Sequence, residues 1–189
     1  MKRRIPLSQA QALAEDFLTA IRPLCERAEV AGSVRRGKAE VGDVEIVVQP
    51  RVARVQVGLF EDMTEERDLL ETDFLWEAWG KVLKDGPRFK QIFTPHGVAL
   101  DVFIVRPPAQ FGLIYLIRTG PADFSKWMVT PRSRGGALPP GLVVRNGAIW
   151  RGLELIPTPT EADVFRVLGL EPIPPAEREP RWWGMREWT

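Results

Sequence analysis

The sequence has little cysteine, little histidine and no long apolar run, and each scarcity excludes a class of protein. Cys25 is the only cysteine among the 189 residues, so the chain cannot form an internal disulfide, which fits a reducing cytoplasm. No apolar stretch reaches the ~18 residues that a membrane-spanning helix needs. The N-terminus is basic, but no apolar segment follows it, so we expect no signal peptide. His96, the only histidine, lies in a predicted turn, where we expect a structural or solvated role.

The composition supports a folded protein with an uneven charge distribution. Hydrophobic residues make up 44% of the chain, enough for one sizeable core or for two small lobes that share a cleft. The net charge of +1 conceals an acidic stretch at 58–77 and a basic stretch at 111–151. The acidic residues interleave with apolar ones at helical spacing, which favours a solvated helix face. The basic stretch suits either a solvated surface or contact with a phosphate backbone, and both interpretations stay open.

Hydropathy periodicity predicts helices and strands in an irregular order. An N-terminal helix with Ser8 as its N-cap comes first, and a second helix is predicted over 64–83. The strands expected around these helices lie at 28–31, 41–49, 88–94 and 98–105.

The Pro107-Pro108 pair marks the predicted boundary between two parts of the chain. Beyond it we predict helices at 110–117 and 122–130, a β-hairpin that turns at Asn146-Gly147, and a helix that Thr160 caps and Gly169 ends. Helices do not alternate singly with strands, so we predict an α+β fold with a mixed sheet rather than a doubly wound one.

One stretch combines a small-residue turn, two arginines and two carboxylates. It runs Gly32-Ser33-Val34-Arg35-Arg36-Gly37 and is followed within a few residues by Asp43-Val44-Glu45. A third carboxylate, Asp101, interrupts the apolar strand predicted at 98–105. Each pattern alone has a simpler explanation, since Asp-x-Glu often marks an exposed strand face and the arginine motif is also a basic loop. Their ordered combination indicates a nucleotidyl-transfer site.

The three carboxylates predict a site for divalent metal. Asp43 and Glu45 lie two apart on a strand, so they point to the same face, where burial is costly unless a cation joins them. Magnesium prefers carboxylate oxygens together with substrate phosphates. If Asp101 lies on a neighbouring strand, the three would hold two ions about 4 Å apart, Mg²⁺ or Mn²⁺. One ion would activate an attacking hydroxyl, whose proton Asp101 would accept, and the other would stabilise the leaving pyrophosphate.

The turn before these acids predicts a seat for a triphosphate. Gly32 and Ser33 have the backbone freedom to place amides against phosphate oxygens, and the Ser33 hydroxyl is a further donor. Arg36, or alternatively Arg35, would add a charged fork. Gly42, at the start of the strand, would let a ligand approach closely.

These motifs resemble the polymerase core of the family X DNA polymerases. The resemblance rests on G-S-V-R-R-G, G-D-V-E, L-D-V-F and R-T-G-P-A-D-F-S-K-W, and it covers about 30–169. It implies a nucleotidyltransferase palm with a mixed β-sheet flanked by helices, which with the N-terminal helix spans 1–108. A small α+β thumb follows over 109–189 and ends in a tail rich in proline and tryptophan.

The same resemblance implies an activity and roles for individual residues. A primer 3′-hydroxyl would attack the α-phosphate of a dNTP and release pyrophosphate on primer-template or gapped DNA, as in short-gap repair. In the palm it implies metal ligands at Asp43, Glu45 and Asp101 and triphosphate contacts at Gly32, Ser33, Arg36 and Gly42. In the thumb it implies sugar contacts from Ile117 to Gly120, a base contact at Asp123, a template contact at Lys126, and DNA contacts at Arg132 and Arg134. We expect a monomer of minimal size in the cytoplasm of a bacterial cell or phage-infected host, with no membrane partner.

The sequence departs from the family pattern at particular positions. Glu45 stands where the family usually has aspartate, and Ile117-Arg118 stands where aromatic residues commonly sense the sugar and base. We find no helix-hairpin-helix module and no lyase domain, so we expect a weak grip on DNA. We also find no phosphoesterase domain, so we expect no proofreading by such a module. Two alternatives therefore stay open: a template-independent nucleotidyltransferase acting on RNA, a protein or a small molecule, and a catalytically weak DNA-binding module.

Overall fold

The structure is a computed structural model that describes residues 3–56 and 64–178. The strands, numbered in chain order, are β1 (Ile5–Pro6), β2 (Cys25–Val30), β3 (Glu40–Val41), β4 (Asp43–Pro50), β5 (Val52–Gln56), β6 (Thr64–Asp68), β7 (Lys81–Gly86), β8 (Phe89–Phe93), β9 (Ala99–Ile104), β10 (Leu142–Arg145), β11 (Ala148–Arg151) and β12 (Glu154–Ile156). The α-helices are α1 (Leu7–Ile21), α2 (Gly32–Arg35), α3 (Leu69–Asp73), α4 (Phe111–Thr119), α5 (Ala122–Val129) and α6 (Glu161–Leu168). Among the described residues, none of the helices combines the length and hydropathy that a bilayer crossing requires.

A five-stranded mixed sheet organises the N-terminal lobe. Its strand order is β2-β4-β9-β8-β7, in which β4 and β9 are parallel and the other neighbours are antiparallel. Of the three strands with neighbours on both sides, the parallel pair β4 and β9 is the most apolar, as expected for buried parallel strands. The predicted α+β fold with a mixed sheet is confirmed.

Helix α1 covers one face of this sheet. Its buried residues Phe17, Leu18 and Ile21 pack with the side chains of β4 and β9 that point to that face, among them Ile46 and Val102. Because side chains alternate along a strand, the opposite face carries the residues in between.

The opposite face is only partly covered. Towards the C-terminal ends of β4 and β9, Val47 and Phe103 form a cluster with Phe111 and Tyr115 of α4. The N-terminal ends of the same two strands carry the three predicted acids, each of which is half-buried. Helix α4 thus closes one end of the face and leaves the acidic end accessible.

The C-terminal lobe has its own core and confirms two local predictions. Helices α4, α5 and α6 pack with the sheet β10-β11-β12 around residues such as Phe124 and Phe165. Asn146 and Gly147 both have positive φ, 51° and 75°, as a type I′ hairpin turn requires. Thr160 forms a reciprocal capping box with Asp163 at the start of α6, and Gly169 ends the helix in the left-handed conformation.

The prediction of one helix over 64–83 was wrong. The segment forms β6, the short helix α3, a 3₁₀ turn at Trp76–Trp79 and the edge strand β7. Phe74, Trp76 and Trp79 all pack around Phe17 of α1, with ring centroids 5.5, 6.5 and 5.0 Å away. Residues two apart lie on nearly opposite sides of an α-helix, so Phe74 and Trp76 cannot reach one ring from a regular helix. Tertiary packing overrode the local periodicity.

The predicted N-cap at Ser8 was also wrong. Helix α1 begins at Leu7, with Pro6 at the cap position and no side-chain cap hydrogen bond. Ile5 and Pro6 pair with Val41 and Glu40, so a strand pairing decides where the helix starts. Residues 179–189, which carry the three tryptophans of the tail, and residues 57–63 of the acidic stretch lie outside the described residues.

Candidate active site

The parallel pairing of β4 and β9 places the three acids on one face. Glu45 is the direct register partner of Asp101, and Asp43 is the partner of Ala99. Residues opposite each other in a ladder point to the same face, and so do residues two apart on one strand. Asp43, Glu45 and Asp101 therefore share the accessible face, while Val44, Ile46 and Val102 between them lie in the core.

The electrostatics of this face is dominated by the burial of Glu45, to which the neighbouring acids add. Burial raises the pKa of Glu45 to about 7, and the charges of Asp43 and Asp101 act in the same direction. Arg118 and Arg36 pull the pKa of Glu45 the other way without outweighing these effects. A concentration of negative charge on hard oxygen donors is the donor chemistry that Mg²⁺ and Mn²⁺ accept.

In their present rotamers, the acidic side chains do not form a complete metal-binding site. Within residues 3–56 and 64–178, no three acidic, histidine or cysteine side chains converge closely enough to hold an ion as they stand. One oxygen of Asp101 is occupied, because Gln91 Nε2 donates a hydrogen bond of 2.8 Å to Asp101 Oδ1. The residues fit a divalent metal by donor type and shared face, and carboxylate rotation would have to complete its coordination.

The predicted triphosphate seat lies directly against Glu45. Gly32 has φ +61°, and a Cβ at this position would collide with the Glu45 carboxylate, so only glycine permits the close approach. Ser33 follows in the first turn of α2, and its Oγ is buried without a hydrogen-bond partner. A buried hydroxyl without a partner is costly in a folded protein unless a ligand satisfies it.

The two arginines of the motif have different partners. Arg36 Nη1 donates to the backbone oxygen of Thr119 at 2.6 Å. Arg35 donates two hydrogen bonds of 2.7 Å to the carboxylate of Glu161 and one to Thr119 Oγ1, and its guanidinium lies 3.9 Å from the Tyr115 ring centroid. Arg35 is thus committed to the contact between the lobes, which leaves Arg36 as the motif arginine nearer the acids.

A second arginine completes the contact made by Arg35. Arg178 is 1% exposed, and its Nη1 donates to Glu161 Oε1 at 2.8 Å. Burial alone would raise the pKa of Glu161, but hydrogen bonds from Arg35 and Arg178 outweigh it and hold that pKa below its ordinary value. The trio Arg35, Glu161 and Arg178, called here the interlobe triad, joins α2, α6 and the end of the described chain.

The predicted thumb residues occupy varied environments. Ile117 is half-buried and its backbone oxygen accepts from Ser125 Oγ at 2.6 Å. Gly120 ends α4, and a Cβ there would collide with the Phe124 ring. Asp123 and Lys126 are exposed on α5.

The two other basic residues predicted to bind DNA differ from each other. Both are exposed, but Arg132 Nη2 also donates to the backbone oxygen of Leu168 at 2.6 Å, which ties it to the end of α6. Gly42 lines a cleft of about 650 Å³ together with Gln91 and Ala99, immediately beside Asp43.

Sequence reasoning missed several residues of this site. Gln91 carried a usable signal, since counting back symmetrically from the turn at 95–97 pairs it with Asp101, as observed. Glu161 and Arg178 carried none, because their partners are far away in the chain. The position of Arg118 over the sheet likewise depends on how α4 packs.

Comparison with known proteins agrees with this architecture. Residues 114–179 match the family model of the DNA polymerase beta thumb. The chain is 31% identical over 166 residues to DNA polymerase lambda of Rattus norvegicus, an alignment that takes in 78% of this chain and 28% of that protein. The chain therefore spans well under a third of the length of that relative.

The fold and the site together define a polymerase beta-like palm and thumb. The palm is the sheet with its acidic face, and the thumb is the helical lobe that α4 joins to it. With the thumb match over 114–179 and the identity to DNA polymerase lambda, the chain is similar to the family X DNA polymerases.

Proposed function

We propose that this chain is a nucleotidyltransferase that extends a primer 3′-hydroxyl with dNTPs on a DNA template, as in the filling of short gaps. The observation that carries the proposal is the shared face of Asp43, Glu45 and Asp101, with the Gly32-Ser33 turn approaching it through the close contact of Gly32 with Glu45. It places a surface that attracts cations next to a turn that can bind an anion. A nucleoside triphosphate with its divalent metals satisfies both demands at once.

In this mechanism the residues of the chain bind, orient and accept a proton. Ser33 Oγ donates to a phosphate oxygen of the dNTP, and the Arg36 guanidinium, beside it, offsets phosphate charge. Asp101, oriented by the hydrogen bond from Gln91, accepts the proton of the primer hydroxyl as it attacks the α-phosphate. The bond between the α-phosphate and pyrophosphate breaks as the new phosphodiester forms. Two Mg²⁺ or Mn²⁺ ions held by the acids would supply charge stabilisation to the entering and leaving oxygens.

A primer-extension assay tests the proposal. Wild-type protein should add dNTPs to gapped and recessed DNA in the presence of Mg²⁺ or Mn²⁺, and chelation should stop it. Asp101→Asn should reduce the rate by roughly a hundredfold or more, because loss of a metal-binding carboxylate forfeits several kcal/mol of transition-state stabilisation. Glu154→Gln, an exposed change in the thumb sheet, is the matched control and should keep the wild-type rate.

The assay also separates the proposal from its alternatives. Equal incorporation with and without a template strand would replace it by a template-independent transferase. DNA binding without turnover at any metal concentration would replace it by a binding module. Undiminished extension by Asp101→Asn would refute the assignment of the acidic face itself.

A further inference from the structure

Arg118 in the last turn of α4 lies over the same sheet face as the acids. Its guanidinium carbon is 3.9 Å from the centroid of the Phe103 ring, a cation–π contact. Phe103 follows Asp101 by two residues on β9, and its register partner Val47 follows Glu45 by two on β4. The strand rise therefore puts the Phe103 ring one step, about 7 Å, along the face from the Glu45–Asp101 row.

The charge of Arg118 acts on the acids although it does not touch them. It interacts favourably with both Glu45 and Asp101. Across residues 3–56 and 64–178, however, we find no direct ion pair between Arg118 and a carboxylate; its guanidinium lies instead on the Phe103 ring. A cation held on an aromatic ring within range of two acids can leave without breaking a salt bridge.

The surroundings show why a counterion is needed here. Asp43, Glu45 and Asp101 repel one another on a partly desolvated surface, and the cationic groups that act on Glu45 are Arg118 and Arg36. Arg36 is anchored to the Thr119 backbone. Arg118 is the cation held on the aromatic ring beside the acids, one strand step along the face from the Glu45–Asp101 row.

We propose that Arg118 is a counterion carried by the thumb, which offsets the palm carboxylates when no divalent cation is present and opposes metal binding until its guanidinium leaves the Phe103 ring. This inference rests on the proposed function, since it takes the acidic face as the metal site. Arg118 is then a positioning residue that couples metal binding to the thumb. A phosphate-bearing substrate that draws Arg118 away therefore strengthens metal binding. By linkage, bound metal strengthens the binding of that substrate by the same factor.

The test measures Mn²⁺ binding by the free protein, without DNA or nucleotide, by electron paramagnetic resonance. Arg118→Met keeps a side chain over Phe103 but removes the charge, so Mn²⁺ should bind about five- to tenfold more tightly, as Coulomb's law gives for a single charge about 7 Å from a divalent ion in a water-like medium. Arg118→Gln should show the same gain, and Arg118→Lys should stay near wild type. A purely structural role for Arg118 predicts weaker binding instead.

Arg145→Met is the matched control. Arg145 lies 4.4 Å over the Trp150 ring in the thumb hairpin, so the change removes the same kind of contact elsewhere, and Mn²⁺ affinity should not change. Unchanged or weakened Mn²⁺ binding in both Arg118→Met and Arg118→Gln would overturn the inference.

Asp101→Asn separates failure of the inference from failure of the proposed function. If this variant loses Mn²⁺ binding while the Arg118 variants match wild type, only the role of Arg118 is refuted. If Asp101→Asn binds Mn²⁺ like wild type, or if wild type does not bind it, the assignment of the metal site is refuted. The role proposed for Arg118 is then refuted as well.

Discussion

At the scale of single residues, the Ser33 hydroxyl should contribute to dNTP binding but not to the stability of the fold. Its Oγ is buried without a partner, so it contributes nothing to the unliganded fold. Ser33→Ala should leave the melting temperature unchanged or slightly raised. The same change should weaken dNTP binding by roughly five- to thirtyfold, since a hydrogen bond to a charged phosphate is worth about 1–2 kcal/mol. Differential scanning fluorimetry and calorimetric titration with dNTP measure the two effects.

Thr158 offers the control for that prediction. Its Oγ1 is also buried without a partner, but it lies in the thumb beside α4, where its backbone oxygen accepts from Gly112. Thr158→Val should alter stability as little as Ser33→Ala and leave dNTP affinity unchanged. Equal losses of dNTP affinity in both variants would show that the effect of Ser33 is not local to the site.

At the scale of elements, the interlobe triad joins α2 of the palm to α6 of the thumb. Glu161 receives hydrogen bonds from Arg35 and from the fully buried Arg178. Glu161→Gln should lower the free energy of unfolding by about 3 kcal/mol, because it leaves a buried guanidinium without its charge partner. Urea denaturation measures the change.

An exposed ion pair supplies the comparison for Glu161. Glu15 pairs with Arg22 at 2.9 Å, but the two side chains are 62% and 49% exposed. Glu15→Gln should therefore cost less than about 0.5 kcal/mol. Similar losses in the two variants would mean that the interlobe triad is no stronger than a surface pair.

The pH dependence of stability should also report on the interlobe triad. The pKa of Glu161 is lower in the folded protein than in the unfolded chain, where it is about 4.3. The unfolded chain therefore binds the proton first, so the contribution of Glu161 is complete above about pH 4.3 and is lost as the pH falls through the folded-state pKa. The stability difference between wild type and Glu161→Gln should be constant near neutrality and shrink below about pH 4. A difference that persists undiminished to pH 3 would contradict the assigned pKa.

At the scale of the whole molecule, the exposed basic residues of the thumb should contribute to DNA affinity. Lys126 and Arg134 are exposed, so each is expected to neutralise one phosphate on bound DNA. Lys126→Gln and Arg134→Gln should each reduce the slope of log affinity against log salt by about 1, with unchanged melting temperature. Fluorescence anisotropy with gapped DNA across a range of salt concentrations measures the slope.

Arg132 should behave differently from these two residues. Because its guanidinium donates to the backbone oxygens of Leu168 and Ala137, Arg132→Gln should lower the melting temperature of the protein. A wild-type melting temperature together with a reduced salt slope would instead place Arg132 with the DNA contacts.

Short-range signals in the sequence determined much of this protein. The Asn146-Gly147 turn, the Thr160 cap and the Gly169 helix end depend on contacts within a few residues, so the chain specifies them locally. The alternation of acidic and apolar residues in β4 likewise determined that Asp43 and Glu45 share a face, because side-chain direction in a strand follows from backbone geometry alone.

The tertiary structure decided what depends on distant partners. The hydropathy periodicity over 64–83 predicted a helix. Packing around Phe17 of α1 instead favours a strand, a short helix, a 3₁₀ turn and an edge strand. The motif alone could not tell which of Arg35 and Arg36 lies nearer the acids. Arg35 pairs with Glu161, and Glu161 comes within reach only when α6 packs beside α2. Nor could the motif place Arg118 over Phe103. Each of these outcomes depends on which surfaces meet after folding, and that is set by the burial of apolar faces brought together from separate parts of the chain.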